Sequence, residues 1–73
     1  MEVFRPEMNY ELKAEIIRAG YSSISSFANE IGTSVSLMSQ ILHRWRLPGP
    51  TVQKKIAKAL GIKITELRDL LTQ

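Results

Sequence analysis

The polar side chains with the most regular spacing lie between Gly32 and Arg44. Ser36, Gln40 and His43 are separated by four and then three residues, so on a helix they would share one face. The amide of Gln40 can donate and accept hydrogen bonds together, which is what the N6/N7 edge of adenine requires. By itself this pattern is either a solvated polar face of a helix or a surface that hydrogen-bonds another molecule, such as the base pairs of a DNA groove.

Catalytic and metal-binding chemistry find little support in the same residues. The chain has no cysteine and one histidine, His43, with no neighbouring acid to complete a metal site or to orient a Ser–His pair. Its seven serines are of the kind that helix caps and turns use routinely, and there is no phosphate-binding glycine loop. We expect no enzyme, cofactor or metal, and His43 is either a DNA contact or simply an exposed side chain.

Charge is distributed unevenly along the chain. The net charge is +3, but residues 31–65 contain six basic residues and no acidic one, whereas the flanking parts contain seven acids and four bases. The six basic residues are Arg44, Arg46, Lys54, Lys55, Lys58 and Lys63. A segregated basic surface indicates a polyanion such as nucleic acid as the partner. The alternative is a solvated basic face with no partner.

Length and composition indicate one small domain. Seventy-three residues, 44% of them hydrophobic and 23% charged, suffice for one globular domain but not for a deep cofactor cavity. No apolar run reaches the roughly 18 residues that a membrane span needs, and the N-terminus lacks the apolar segment of a signal peptide. We expect a soluble, cytoplasmic protein that does not associate with membranes.

Five short helices would position these residues. Glycine and proline at positions 20, 32, 48–50 and 61 separate intervals whose apolar residues recur about every 3.6 residues. The predicted helices cover residues 10–19, 24–31, 35–44, 50–60 and a short stretch around 64–71, with Asn9, Ser23 and Ser34 as N-caps. We expect an all-α bundle over residues 9–73, preceded by an arm of residues 1–8 whose Val3 and Phe4 are candidates for docking.

The same period divides each helix into an inner and an outer face. The predicted inner residues of the first four helices are Leu12, Ile16, Ala19, Phe27, Ala28, Ile31, Met38, Ile41, Leu42, Val52, Ile56, Ala59 and Leu60, with Ile17 beside those of the first helix. In the fifth helix the apolar residues are Ile64, Leu67, Leu70 and Leu71. In the third helix this leaves Val35, Ser36, Ser39, Gln40 and His43 outside. Leu37 faces neither clearly inward nor clearly outward.

A very short turn joins the second and third helices. Gly32 would supply the left-handed backbone conformation that the turn requires. Ala28, four residues earlier, would be the small residue where the two helices cross, and Ser34 would cap the third helix. This order is the helix-turn-helix pattern, in which the second helix of the pair enters the major groove of DNA.

Residues 9–71 resemble the lambda-repressor/Cro-like (XRE-type) family of helix-turn-helix DNA-binding domains. The matching positions are Phe27-Ala28, Gly32, Ile41, Pro48, Ile56-Ala57-Lys58-Ala59-Leu60-Gly61-Ile62 and Glu66-Leu67. Ile24 departs from the family, which often begins this helix with Gln. Arg44 stands where a Gly usually follows, so we expect the third helix to continue into Trp45. The Trp-and-Pro linker has a looser resemblance to the small phage Ner-like regulators.

The resemblance implies a phage- or plasmid-type transcriptional repressor that binds double-stranded operator DNA as a homodimer. In such a motif, outward residues of the recognition helix meet base edges, and cations and turn residues hold phosphates. The predicted base contacts are Val35, Ser36, Ser39, Gln40 and His43. The predicted backbone contacts are Thr33, Ser34, Arg44, Arg46, Lys54 and Lys55. Lys58 and Lys63 are not assigned, and no small-molecule ligand is expected.

Several apolar residues are candidates for contact with a protein partner. Leu67, Leu70 and Leu71 lie on a helix too short to bury them alone, so they and Trp45 are candidates for a homodimer interface; the alternative is that the leucines close the core. A rival from another class is a protein-interaction module of the same fold, such as an antitoxin or an anti-repressor. Its binding patch would be the apolar residues Ile24, Val35 and Leu37.

Overall fold

The computed structural model describes residues 8–72, which form five α-helices and no β-strand. The helices are α1 (Tyr10–Arg18), α2 (Ile24–Ile31), α3 (Val35–Leu42), α4 (Pro50–Leu60) and α5 (Ile64–Leu71). The all-α bundle that the apolar period predicts is therefore confirmed. Of the predicted arm, residues 1–7, including Val3 and Phe4, lie outside the described residues, and Met8 is half-buried against the core.

Three helices begin with a side chain that accepts a hydrogen bond from a backbone N–H three residues ahead. The pairs are Asn9 with Leu12 (3.1 Å), Ser23 with Ser26 (3.1 Å) and Ser34 with Leu37 (3.0 Å). Each bond satisfies one of the N–H groups that the first turn of a helix leaves free. The three N-caps are therefore as predicted. α4 begins instead at Pro50, which has no N–H to satisfy.

α2 ends in a turn that requires a residue with positive φ. Gly32 has a φ of 77°, and its N–H donates to the carbonyl of Asn29 at 3.2 Å while the N–H of Thr33 donates to Ala28 at 2.9 Å. A Cβ atom at Gly32 would meet nothing within 4 Å. The glycine is thus needed for its backbone conformation and not for space.

α3 ends in the same way, but the left-handed residue is an arginine. Arg44 has a φ of 64° and is the one non-glycine residue with positive φ among residues 8–72. Its N–H donates to Ile41 at 3.1 Å, and the N–H of Trp45 donates to Gln40 at 2.9 Å. The expectation that this helix extends to Arg44 and into Trp45 is therefore wrong. The chain reverses at Arg44 without a glycine, so the helix stops at Leu42.

The core draws residues from all five helices. The buried hydrophobic residues are Leu12, Ile16, Phe27, Ala28, Ile31, Met38, Ile41, Leu42, Ile56, Ala57, Leu67 and Leu71. Ala57 is buried although the predicted stripe of α4 omits it. Ala19 and Ile17 are exposed; Ala19 was expected to face inward, but α1 ends at Arg18 and Ala19 is already its C-cap.

Asn9 connects three helices. It is 1% exposed, its backbone N–H donates to the carbonyl of Leu42 at 2.6 Å, and its Nδ2 donates to the carbonyl of Leu70 at 2.8 Å. Its Oδ1 caps α1 at the same time. One buried polar residue therefore holds the start of α1 against the ends of α3 and α5, and its own polar groups are satisfied.

The leucines of α5 belong to the core. Leu67 is 0% exposed and Leu71 is 8% exposed, and Leu70 is half-buried against the core, because α5 packs against α1 and α4. The burial of Leu67 and Leu71 favours the alternative that the leucines close the core. The homodimer stays a prediction, and of its interface candidates Leu70 is half-buried and Trp45 is exposed.

Candidate functional site

Opposite its buried face, α3 presents the residues that the sequence singles out. Met38, Ile41 and Leu42 are buried and hold the helix on the bundle. On the other side, Val35 and Ser36 are exposed, and Ser39, Gln40 and His43 are half-buried. His43, the C-cap, keeps near-helical backbone angles (φ −84°, ψ 3°). Ser36, Gln40 and His43 therefore form one line along the helix, which we call the α3 row.

The turn before α3 contributes two hydroxyl groups with different surroundings. Ser34 Oγ is occupied, because it accepts the N–H of Leu37 at 3.0 Å. Thr33 Oγ1 is buried and has no hydrogen-bond partner among the described residues, which is uncommon for a buried hydroxyl. Since that oxygen is shielded from solvent, contact of Thr33 with a phosphate would require its side chain to rotate.

Residues 43–47 form a connection that we call the 43–47 segment. After His43, two arginines alternate with two large apolar side chains. Arg44 and Arg46 are exposed, while Trp45 is 68% and Leu47 71% exposed. The indole of Trp45 stacks on the imidazole of His43, with ring centroids 5.0 Å apart and an angle of 25° between the planes. The α3 row therefore continues, through His43, onto Trp45.

The 43–47 segment is attached to the bundle at both ends. At its start, the N–H of Trp45 donates to the carbonyl of Gln40 at 2.9 Å. At its end, the buried Pro48 accepts a hydrogen bond from Gln53 Nε2 of α4 at 2.9 Å. The segment is thus a short exposed connection between two fixed points, and its exposed side chains extend from that connection.

The lysines of α4 lie on another helix, and some of them line a separate groove. Lys54 and Lys55 are exposed on a helix that packs against α2 and α5. Lys55 lines an open groove between α2 and α4 together with Lys58 and the acidic residue Glu30. Arg44 and Arg46 are continuous in sequence with the α3 row, whereas Lys55 belongs to this second groove.

The apolar patch expected for a protein-interaction module, Ile24, Val35 and Leu37, is smaller than predicted. Ile24 and Leu37 are half-buried and pack against the core, so neither is free for a partner to cover fully. Of the three residues, Val35 is the exposed one, with 40% of its surface accessible to solvent. The exposed apolar surface next to α3 lies instead on Trp45 and Leu47.

Two features of the site were not predicted from the sequence. One is Leu47, and the other is the stacking of Trp45 on His43. The order Arg44, Trp45, Arg46, Leu47 carried a usable signal, because alternating cations and apolar residues between a helix end and a proline do not follow a helical core period. The position of the two rings could not be derived without knowing the backbone angle of Arg44.

Comparisons with known proteins leave the interpretation to the site itself. No family model, no curated protein and no solved structure matches this chain. Within residues 8–72, no helix has both the length and the apolar character needed to cross a membrane. In the same residues, no three His, Asp or Glu side chains are grouped so that they could hold a metal ion.

Proposed function

We propose that this protein is a sequence-specific, double-stranded DNA-binding regulator of transcription, with α3 as the helix that enters the major groove. The observation that carries the proposal is the α3 row, which ends at a segment with two exposed arginines. Polar side chains along the row can read base edges, while the arginines hold phosphates beside the groove. The resemblance to lambda-repressor/Cro-like domains supports the same arrangement of α2 and α3.

Four outward residues of α3 have defined roles in this proposal. Gln40 pairs with the N6/N7 edge of adenine, a bidentate contact that discriminates between bases by about 1–3 kcal/mol. Val35 at the start of the helix contacts a thymine methyl group. Ser36 and Ser39 bond to base edges or phosphates, and their short side chains allow the helix to approach the DNA closely.

Affinity comes mainly from the phosphate contacts. Arg44 and Arg46 follow the α3 row directly, and the free N–H groups at the start of α3 offer a further phosphate site. Lys54 and Lys55 contribute where the duplex passes α4. Neutralising about four phosphates would make log K fall against log salt with a slope near −3.6.

Two copies of the chain bind an inverted repeat in this proposal. Their recognition helices would occupy successive major grooves about 34 Å apart, and bound protein would block a promoter. A regulator of the phage or plasmid type with this mode of action would work in the cytoplasm, where its operator lies.

A selection followed by a titration tests the proposal. Duplexes enriched by the chain from a random-sequence pool are titrated beside scrambled duplexes of equal composition, at about 50 and 200 mM salt. We expect the affinity for the enriched duplex to exceed that for the scrambled one by at least about a thousandfold. We also expect both affinities to fall strongly as the salt concentration rises. Failure of the pool to converge, with weak binding that ignores sequence, would contradict the proposal.

A further inference from the structure

We infer that the 43–47 segment is a second DNA contact, in which Trp45 packs against the deoxyribose and base surface of the duplex beside the base pairs that α3 reads. The inference rests on the proposed function and extends it. It adds an apolar contact, which does not depend on salt, to a binding site whose other contacts, apart from that of Val35, are hydrogen bonds and charges.

The exposure of the two apolar side chains calls for a partner. Trp45 and Leu47 are 68% and 71% exposed and lie two residues apart on the same short connection. Burial of such surface on binding is favourable, and exposed apolar residues close together in the chain are candidates for an interaction site. Because the ring of Trp45 already stacks on His43, part of the cost of ordering it has been met before binding.

The charges next to Trp45 decide between DNA and a second copy of the chain. Arg44 and Arg46 flank Trp45 in the sequence and are both exposed. In a two-fold dimer centred on Trp45, the same arginines from each copy would approach one another, and like charges across an interface are unfavourable. A DNA duplex instead presents its sugars between successive phosphates, and this alternation matches a chain segment in which an aromatic residue lies between two cations.

The backbone of Arg44 supports the same conclusion. The other residues with positive φ in the described chain are Gly20, Gly32 and Gly61. A side chain in this conformation is unfavourable, so an arginine there breaks a local rule that glycine satisfies elsewhere in the same bundle. Such exceptions are expected where a side chain has a function. Here the arginine directly precedes Trp45.

The protein carries its own reporter for this contact. Trp45 is the single tryptophan of the chain, so its fluorescence describes the 43–47 segment alone. On titration of the whole chain with the enriched duplex, or with a scrambled duplex at low salt, we expect quenching and a shift of the emission to shorter wavelength. Both changes follow from removing the indole from water and placing it against bases and sugars.

Two substitutions separate the apolar contact from the ionic one. Binding is measured through the anisotropy of labelled duplex at several salt concentrations. Trp45→Ala is expected to weaken binding about tenfold to a hundredfold, as expected for the loss of one buried aromatic side chain, with an unchanged salt slope, because the lost contact is uncharged. Arg46→Ala is expected to flatten the slope by about 0.9, because one phosphate contact is lost.

A matched control comes from another exposed aromatic residue. Tyr10 is 64% exposed but lies on α1, outside the basic residues 31–65. Tyr10→Ala should therefore leave the affinity for DNA and the change in Trp45 emission intact. Trp45→Phe retains a ring and should recover most of the affinity that Trp45→Ala loses. Thermal unfolding of each variant checks that the bundle persists, as expected for exposed positions.

The possible failures are distinguishable. Sequence-specific binding that is unaffected by Trp45→Ala, with no change in emission, would overturn this inference and leave the proposed function standing. Emission that shifts with protein concentration in the absence of DNA, together with loss of an oligomer in Trp45→Ala, would assign the segment to a second copy instead. No salt-sensitive binding to either duplex would overturn both proposals.

Discussion

At the scale of single residues, Gln40 has the most specific chemistry on α3. It lies in the middle of the α3 row and is half-buried, which limits the conformations of its amide. We expect Gln40→Ala to lower specific affinity by about 1–3 kcal/mol and to relax the preference at one base pair. Titrations against duplexes with single base changes measure this. Equal losses on enriched and scrambled duplexes would show that Gln40 does not read a base.

Arg44 is a residue whose removal should have opposite effects on stability and binding. Arg44→Gly relieves the positive φ of 64°, so we expect the free energy of unfolding to rise by about 1 kcal/mol. The same change removes the proposed phosphate contact of Arg44 and should flatten the salt slope by about 0.9. Urea unfolding and DNA titration measure the two effects.

The matched control is Arg46→Gly. Arg46 has the same charge but not the positive φ of Arg44, so its replacement should flatten the salt slope without raising stability. If Arg44→Gly and Arg46→Gly had the same effect on unfolding, the strain assigned to Arg44 would be incorrect.

At the scale of the elements, α3 depends on its N-cap. Ser34 Oγ accepts the N–H of Leu37 at 3.0 Å, and Ser34→Ala leaves that N–H without the cap. We expect a loss of about 1 kcal/mol in the free energy of unfolding and faster hydrogen exchange at the amide of Leu37. Ser25→Ala, at an exposed position within α2, is the control and should change stability little. Unaltered exchange at Leu37 would contradict the role of Ser34 as a cap.

The elements were also the most predictable part of the fold. Each cap joins a side chain to a backbone group three residues away, and Gly32 closes α2 through bonds that span three to five residues. Such interactions are written in short stretches of sequence. The end of α3 shows the converse. The local sequence contains no glycine, and the left-handed turn at Arg44 has no local signature, so the predicted end of this helix was wrong.

At the scale of the whole molecule, Asn9 fixes how three helices meet. Asn9→Ala removes the cap of α1 and leaves the carbonyl of Leu70 without its donor. We expect the free energy of unfolding to fall by about 2 kcal/mol and Tm by about 10 °C. Asn29→Ala, at an exposed position of α2, should leave Tm nearly unchanged. A similar Tm for both variants would show that the contacts of Asn9 do not stabilise the bundle.

The division between sequence and tertiary structure follows the range of the interactions. The apolar period, the caps and the uneven charge are local or additive properties, so the five helices and the outward set of Ser36, Gln40 and His43 could be predicted from the chain alone. Which apolar residues stay exposed depends on packing between distant segments. That packing buried Leu67 and Leu71 and left Trp45 and Leu47 outside, because a small core accommodates only the side chains that its helices can enclose.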